Sequence, residues 1–122
     1  MTRARRANPE AQIQRAVFQH LRARAAPGVF AFHVPNGGYR RPKEAAIFKG
    51  LGVVAGVPDV MVIYQGGVYA LELKVEGGRP TEAQFAAVDN IRNAGGFACV
   101  VYGLDRALRC LEAWGILKGK AA

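Results

Sequence analysis

Gly56-Val57-Pro58-Asp59, Val60-Met61-Val62-Ile63-Tyr64, Gln65-Gly66-Gly67, Val68-Tyr69-Ala70-Leu71 and Glu72-Leu73-Lys74 follow one another without a gap in this 122-residue chain. Two β-branched and aromatic runs on either side of a glycine turn read as an antiparallel hairpin. Alternate residues of a strand share one face, so Glu72 and Lys74 point the same way. With Gly66-Gly67 as a two-residue loop, Gln65 pairs with Val68, which sets Met61 opposite Glu72 and Asp59 opposite Lys74. The three polar groups then share a face. A slip of one residue would send Asp59 to the other face, so this reading requires an even loop or a bulge near Pro58.

Singly, these residues have plain explanations. Asp59 after Pro58 is a common turn residue, and Glu72 with Lys74 suits the solvated face of an edge strand. Their setting argues otherwise, because they interrupt an almost wholly apolar hairpin whose composition predicts a central place in a covered sheet, where polar groups need a partner or a purpose. Two carboxylates held at 4 Å repel by roughly 4 kcal/mol at an effective dielectric of about 20. A cation relieves that repulsion, and hard oxygen donors select Mg2+ or Mn2+. Such an ion beside a lysine is the equipment for hydrolysing phosphodiesters.

Outward from the hairpin, Asn8 is a candidate N-cap with Pro9 at the first helical position, and Ile13, Val17 and Leu21 predict a helix from about Pro9 to Arg24. Glu10 lies on that apolar stripe in the first turn, where a favourable helix-dipole placement is its ordinary explanation. Val29 to Val34 reads as a strand, Asn36-Gly37-Gly38-Tyr39-Arg40-Arg41 as a loop, and Pro42 opens a short helix through Ile47 and Leu51. Phe85, Val88 and Ile91 carry a helix stopped by Gly95-Gly96, which crosses over to a last central strand, Phe97 to Tyr102. Thr81-Glu82-Ala83-Gln84 fits a capping box for that helix. Leu104, Leu108, Leu111 and Trp114 mark a final helix. Gly50-Leu51-Gly52 is set aside as a dinucleotide loop, because it follows a helical segment and opens none.

The order and spacing of these motifs resemble the VRR-Nuc family of the PD-(D/E)XK nuclease superfamily, in its short standalone phage or bacterial form. The resemblance spans most of the chain and rests on Glu10, Asn36-Gly37-Gly38 with its basic run, Gly50-Leu51-Gly52, Gly56-Val57-Pro58-Asp59, Glu72-Leu73-Lys74 and Gly78-Arg79-Pro80-Thr81-Glu82-Ala83-Gln84. It implies an α/β fold with a restriction-endonuclease-like core, a central mixed β-sheet flanked by helices. It also implies a metal site of Asp59, Glu72, the Leu73 carbonyl and Glu10, with Lys74 acting on the attacking water. Gln84 is either part of that site or simply the helix cap. Asn36, Arg40, Arg41 and Lys43 are expected on DNA backbone. The implied activity is a metal-dependent, structure-selective endodeoxyribonuclease, with a four-way (Holliday) junction resolved by a homodimer as the most specific expectation. A flap or fork nuclease is the rival enzyme, and a DNA-binding module that no longer cuts is the rival of another class.

Composition fits this picture. Lys and Arg number 17 against 9 Asp and Glu, a net charge of +8 that favours a polyanionic partner. The expected layout is a basic arm over 1–8, a nuclease domain over 9–118 and a tail over 119–122. No apolar run approaches the roughly 20 residues of a membrane span, and Met1-Thr2-Arg3-Ala4-Arg5-Arg6 lacks a secretory hydrophobic segment, so a cytoplasmic, bacterial or phage-encoded protein is expected. Cys99 and Cys110 have no zinc or disulfide spacing. His20 and His33 have no partner at metal-ligand spacing, and His33 reads as packing or loop support. Tyr39, Ile47 and Phe48 are candidates for a dimer surface, or for completing the monomer core.

Overall fold

A computed structural model describes residues 8–35 and 42–119. Its elements are α1 (Pro9–Arg24), β1 (Phe30–Phe32), α2 (Pro42–Gly50), β2 (Val60–Tyr64), β3 (Gly67–Lys74), α3 (Glu82–Asn93), β4 (Phe97–Tyr102) and α4 (Leu104–Ala113). The four strands form one mixed sheet in the order β1-β2-β3-β4. Both pairings of β2 are antiparallel, and β3 and β4 run parallel through the α3 crossover. This is the α/β mixed sheet flanked by helices that the sequence predicts. β4, however, lies at the edge of the sheet and not in its middle, since the hairpin takes the central places.

The hairpin register also differs from the expected one. Tyr64 pairs with Gly67 and Val60 with Leu71, so the two-residue loop is Gln65-Gly66. Both loop residues have positive φ, +50° at Gln65 and +78° at Gly66, the backbone of a type I′ turn whose twist matches the strands. Gln65 accepts the left-handed position and Gly67 is released into β3. Each β2 residue therefore meets a partner two residues nearer the turn than expected, Met61 pairing with Ala70 instead of Glu72, and continuing the ladder sets Asp59 abreast of Glu72, with Lys74 one alternate position beyond. The faces are unchanged, because the loop is still even.

The sheet's two faces are covered unequally. On one, α1 and α4 bury Val17, Leu21, Val60, Val62, Leu71, Leu73, Val101, Leu108 and Leu111, with Ile116 and Leu117 closing the end. On the other, α3 covers a small cluster of Ala70, Val88 and Ala98, flanked by Met61, Ile91 and Val100. Glu72 and Lys74 belong to this second face, beyond the small cluster. Asn8 caps α1 by accepting from the Glu10 and Ala11 amides. α2 buries none of its residues, and Ile47 is 56% exposed. It therefore does not complete the core. Cys99 and Cys110 are free thiols from β4 and α4 whose sulfurs lie 3.5 Å apart.

Among the described residues, no helix is long and apolar enough to cross a membrane.

Candidate active site

Three chain segments meet where β2 begins and β3 ends. Glu72 is buried, 1% exposed, and Lys74 is 7% exposed, a depth at which ionic groups occur only with partners. The Lys74 Nζ lies 3.7 Å from Glu72 Oε2 and 3.6 Å from Glu10 Oε1, so the first turn of α1 reaches the end of β3. The structure thus brings Glu10 to the lysine. Asp59 approaches from the other strand, where its Oδ2 accepts from the Leu73 amide at 2.8 Å.

Asp59 is further held through its backbone. His33, just after β1, makes a 2.8 Å contact from Nδ1 to the Asp59 carbonyl oxygen, which is loop support as the sequence suggested. Gly56 is a constraint that sequence reasoning passed over. At φ +81° its backbone rests so closely on α3 that an added Cβ would stand 2.4 Å from the Ala83 carbonyl carbon and 2.6 Å from the Gln84 nitrogen. The turn carrying Asp59 is therefore seated on the start of α3. The only signal in the sequence was a glycine at a fixed distance before an acidic residue, and that has many causes.

Gln84 forms the helix cap that its sequence fits. Its Oε1 accepts from the Thr81 amide at 2.9 Å while the Thr81 Oγ1 accepts from the Gln84 amide at 3.2 Å, a complete capping box. Lys43 is an exposed residue of α2. Asn36, Arg40, Arg41 and Tyr39 lie outside the described residues.

The electrostatics of Glu72 are strained. Its carboxyl is pushed up to about 8 from an ordinary 4.5, first by burial, then by the Asp59 charge and a hydrogen bond with Asp59, with Glu10 adding to the rise and Lys74 opposing it. Its Oε1 is buried without a hydrogen-bond partner. A buried oxygen of this kind is costly to leave unmatched. Asp59 and Glu72 are the two side chains here that could hold a divalent cation, which would match that oxygen. Among the described residues no three His, Cys, Asp or Glu side chains gather around one point. Glu10, expected as a further ligand, therefore does not join Asp59 and Glu72 in such a group and lies instead against Lys74.

One prediction follows at this residue. A carboxyl with a raised folded pKa binds more protons folded than unfolded between pH 4.5 and about 8, so its contribution to stability is present at low pH and is lost as pH rises through that window. In chelator the unfolding free energy of the wild-type protein should fall from pH 5 to pH 8 by a Glu72 contribution on the order of a few kcal/mol, and its melting temperature should fall with it. Glu72→Gln should flatten that fall, melt higher than wild type at pH 8, and lose any stabilisation by Mn2+. Parallel melting curves of the two proteins across pH would refute the assignment of strain to Glu72.

No family model matches the chain, and no curated relative matches it. Among solved structures it is similar to one described as a "VRR_NUC domain protein", with TM-score 0.73 and 22% identity over 90% of each chain. It is also similar to one described as "VRR_NUC domain", with TM-score 0.61 and 20% identity over 88% of this chain and 99% of the other. Hairpin, crossover and helices together give this chain the fold of those VRR_NUC domain structures.

Proposed function

We propose that this protein is a divalent-metal-dependent endodeoxyribonuclease. The observation that carries the reading is the buried Glu72, with an unpartnered oxygen, beside Asp59 and within ion-pair reach of Lys74. Likeness to the VRR_NUC domain structures supports it, as does the net charge of +8. Asp59 and Glu72 would hold Mg2+ or Mn2+, with the Leu73 carbonyl as a further donor. The ion supplies Lewis acidity toward a phosphate oxygen and a water molecule.

The chain's own groups do the rest. The Leu73 amide fixes the Asp59 carboxylate, and His33 and Gly56 fix the backbone that carries it. Lys74, steadied between Glu10 and Glu72, presents a cation at the same face, where it orients the attacking water and offsets charge developing on the phosphate. Glu10 positions Lys74. Lys43, with Arg40, Arg41 and Asn36, contributes contacts to DNA backbone.

Labelled linear, flapped and four-way DNA incubated in Mg2+, Mn2+, Ca2+ or chelator tests the function and ranks the substrates. Cutting is expected in Mg2+ and Mn2+, to be strongest on branched DNA, and to be absent in chelator. Binding without cutting in every metal would instead favour a DNA-binding module.

For a four-way junction two cuts are needed, and a homodimer supplies them. The exposed apolar residues Ile47, Leu51, Val53 and Val54, at 56%, 75%, 45% and 56% exposure, form a candidate dimer surface in and after α2. A stable interface needs about 1,000 Å² or more of total burial. Light scattering should show a dimer for the wild-type protein and a monomer for Ile47→Glu, with paired junction cuts lost in the variant. A wild-type monomer that makes paired cuts would exclude this assembly.

A further inference from the structure

We infer that the groove between α1 and β1 is the track for one unpaired strand of nucleic acid leading away from the acidic site, an inference that rests on the nuclease reading and extends it to the substrate. The groove has a volume of about 680 Å³. That is the size of a pocket for one drug-sized molecule, which suits about two nucleotides of one strand and not a duplex.

Position ties the groove to the site. One wall is α1, whose first turn carries Glu10 to Lys74, and the other is β1, continued by His33, which contacts the Asp59 carbonyl. The groove therefore starts beside the acidic cluster and runs toward the far end of α1. Charge suits a phosphate chain, because Arg15 and Arg22 line it and no acidic residue does. Both arginines are exposed and neither has an ion-pair partner among the described residues. Arg24 differs, being bound to Glu112 at 2.6 Å and to His20. Arg15 and Arg22 lie seven residues apart on one helix face, about 10 Å along the axis, a spacing that matches phosphates two or three nucleotides apart.

Aromatic surface completes the match. Phe30 and Phe32 line the groove, their ring centroids are 5.2 Å apart, and Phe30 is 62% exposed. A basic groove with exposed aromatic rings is how proteins hold single strands without reading sequence, through phosphate contacts and base stacking.

Fluorescence anisotropy with a labelled 12-mer of thymidylate, and with a duplex of equal length, tests the inference in chelator, where nothing is cut. Arg15→Ala/Arg22→Ala should weaken single-strand binding and reduce its log-affinity against log-salt slope by about 1.4, from roughly 0.7 per lost contact. Phe30→Ala should weaken the single strand by about 5- to 100-fold with its salt slope unchanged. Arg106→Ala/Arg109→Ala on α4 removes equal charge outside the groove and should leave the single-strand slope in place. Equal slopes for the two double variants would overturn the inference, as would a groove variant that loses only duplex binding. Because binding is read without a metal, groove dependence in a protein that cuts in no metal would refute the nuclease reading alone. Cutting that is indifferent to Arg15, Arg22 and Phe30 would refute the groove alone.

Discussion

Asp59→Asn should lower the single-turnover rate of DNA cleavage by on the order of 10³-fold or more, with DNA affinity and fold largely intact. Asparagine keeps an oxygen to accept the Leu73 amide, so the 2.8 Å contact that orients the side chain survives. The negative charge does not survive, and with it goes half of the paired carboxylates available to a divalent ion. The same change removes a group that raises the Glu72 pKa, so the metal-free variant should melt no lower than wild type. Full activity in the variant, or in wild-type protein under excess chelator, would remove Asp59 from the reaction. Stopped-time cleavage with protein in excess over DNA measures the rate, and anisotropy in chelator measures affinity.

Gly56→Ala should be the most damaging of the glycine-to-alanine changes among the described residues. Its Cβ would stand 2.4 Å from one backbone atom of Ala83 and 2.5 Å from another, and neither belongs to a flexible side chain that can swing away. The φ of +81° adds strain for any L-residue. Overpacking and backbone strain together place the loss at about 2–5 kcal/mol. Where the variant still folds, the displaced turn moves Asp59, so cutting should fall well beyond the loss of folded protein. Gly52→Ala offers a matched control, with a similar φ of +92° and nothing within 4 Å of its added Cβ. If chemical denaturation gives the two variants equal stability, the seating on α3 is not a constraint.

Local chemistry made much of this molecule readable from its sequence. The Asn8 cap and Pro9 defined the start of α1, Gly95-Gly96 its counterpart at the end of α3, and the β-branched runs around the glycine turn gave the hairpin. Face-sharing of Asp59, Glu72 and Lys74 was legible because strand periodicity depends only on whether the loop is odd or even. The exact pairing was not. Which two of Gln65, Gly66 and Gly67 form the loop depends on whether Gln65 adopts φ +50°, a small energetic preference that composition does not reveal. β4 was placed too centrally because an apolar strand reads the same whether helices or another strand cover it. The contacts of Gly56 with α3, of His33 with Asp59 and of Lys74 with Glu10 join segments far apart in the chain, and no local pattern encodes them.

The unequal covering of the sheet has a consequence for how this chain can change. Most of the apolar burial lies on the α1 and α4 side, whereas the polar cluster shares its face with only a small patch under α3. Surface substitutions around the cluster, away from Gly56 and the buried Glu72, therefore draw on a minor share of the folding free energy and fall within the small range that a marginally stable domain tolerates. Selection can alter what this face accepts while the opposite face keeps the chain folded. The main core and the polar cluster thus sit back to back on one sheet, and they are tied together where Gly56 rests on α3 and where Glu10 reaches Lys74 from α1.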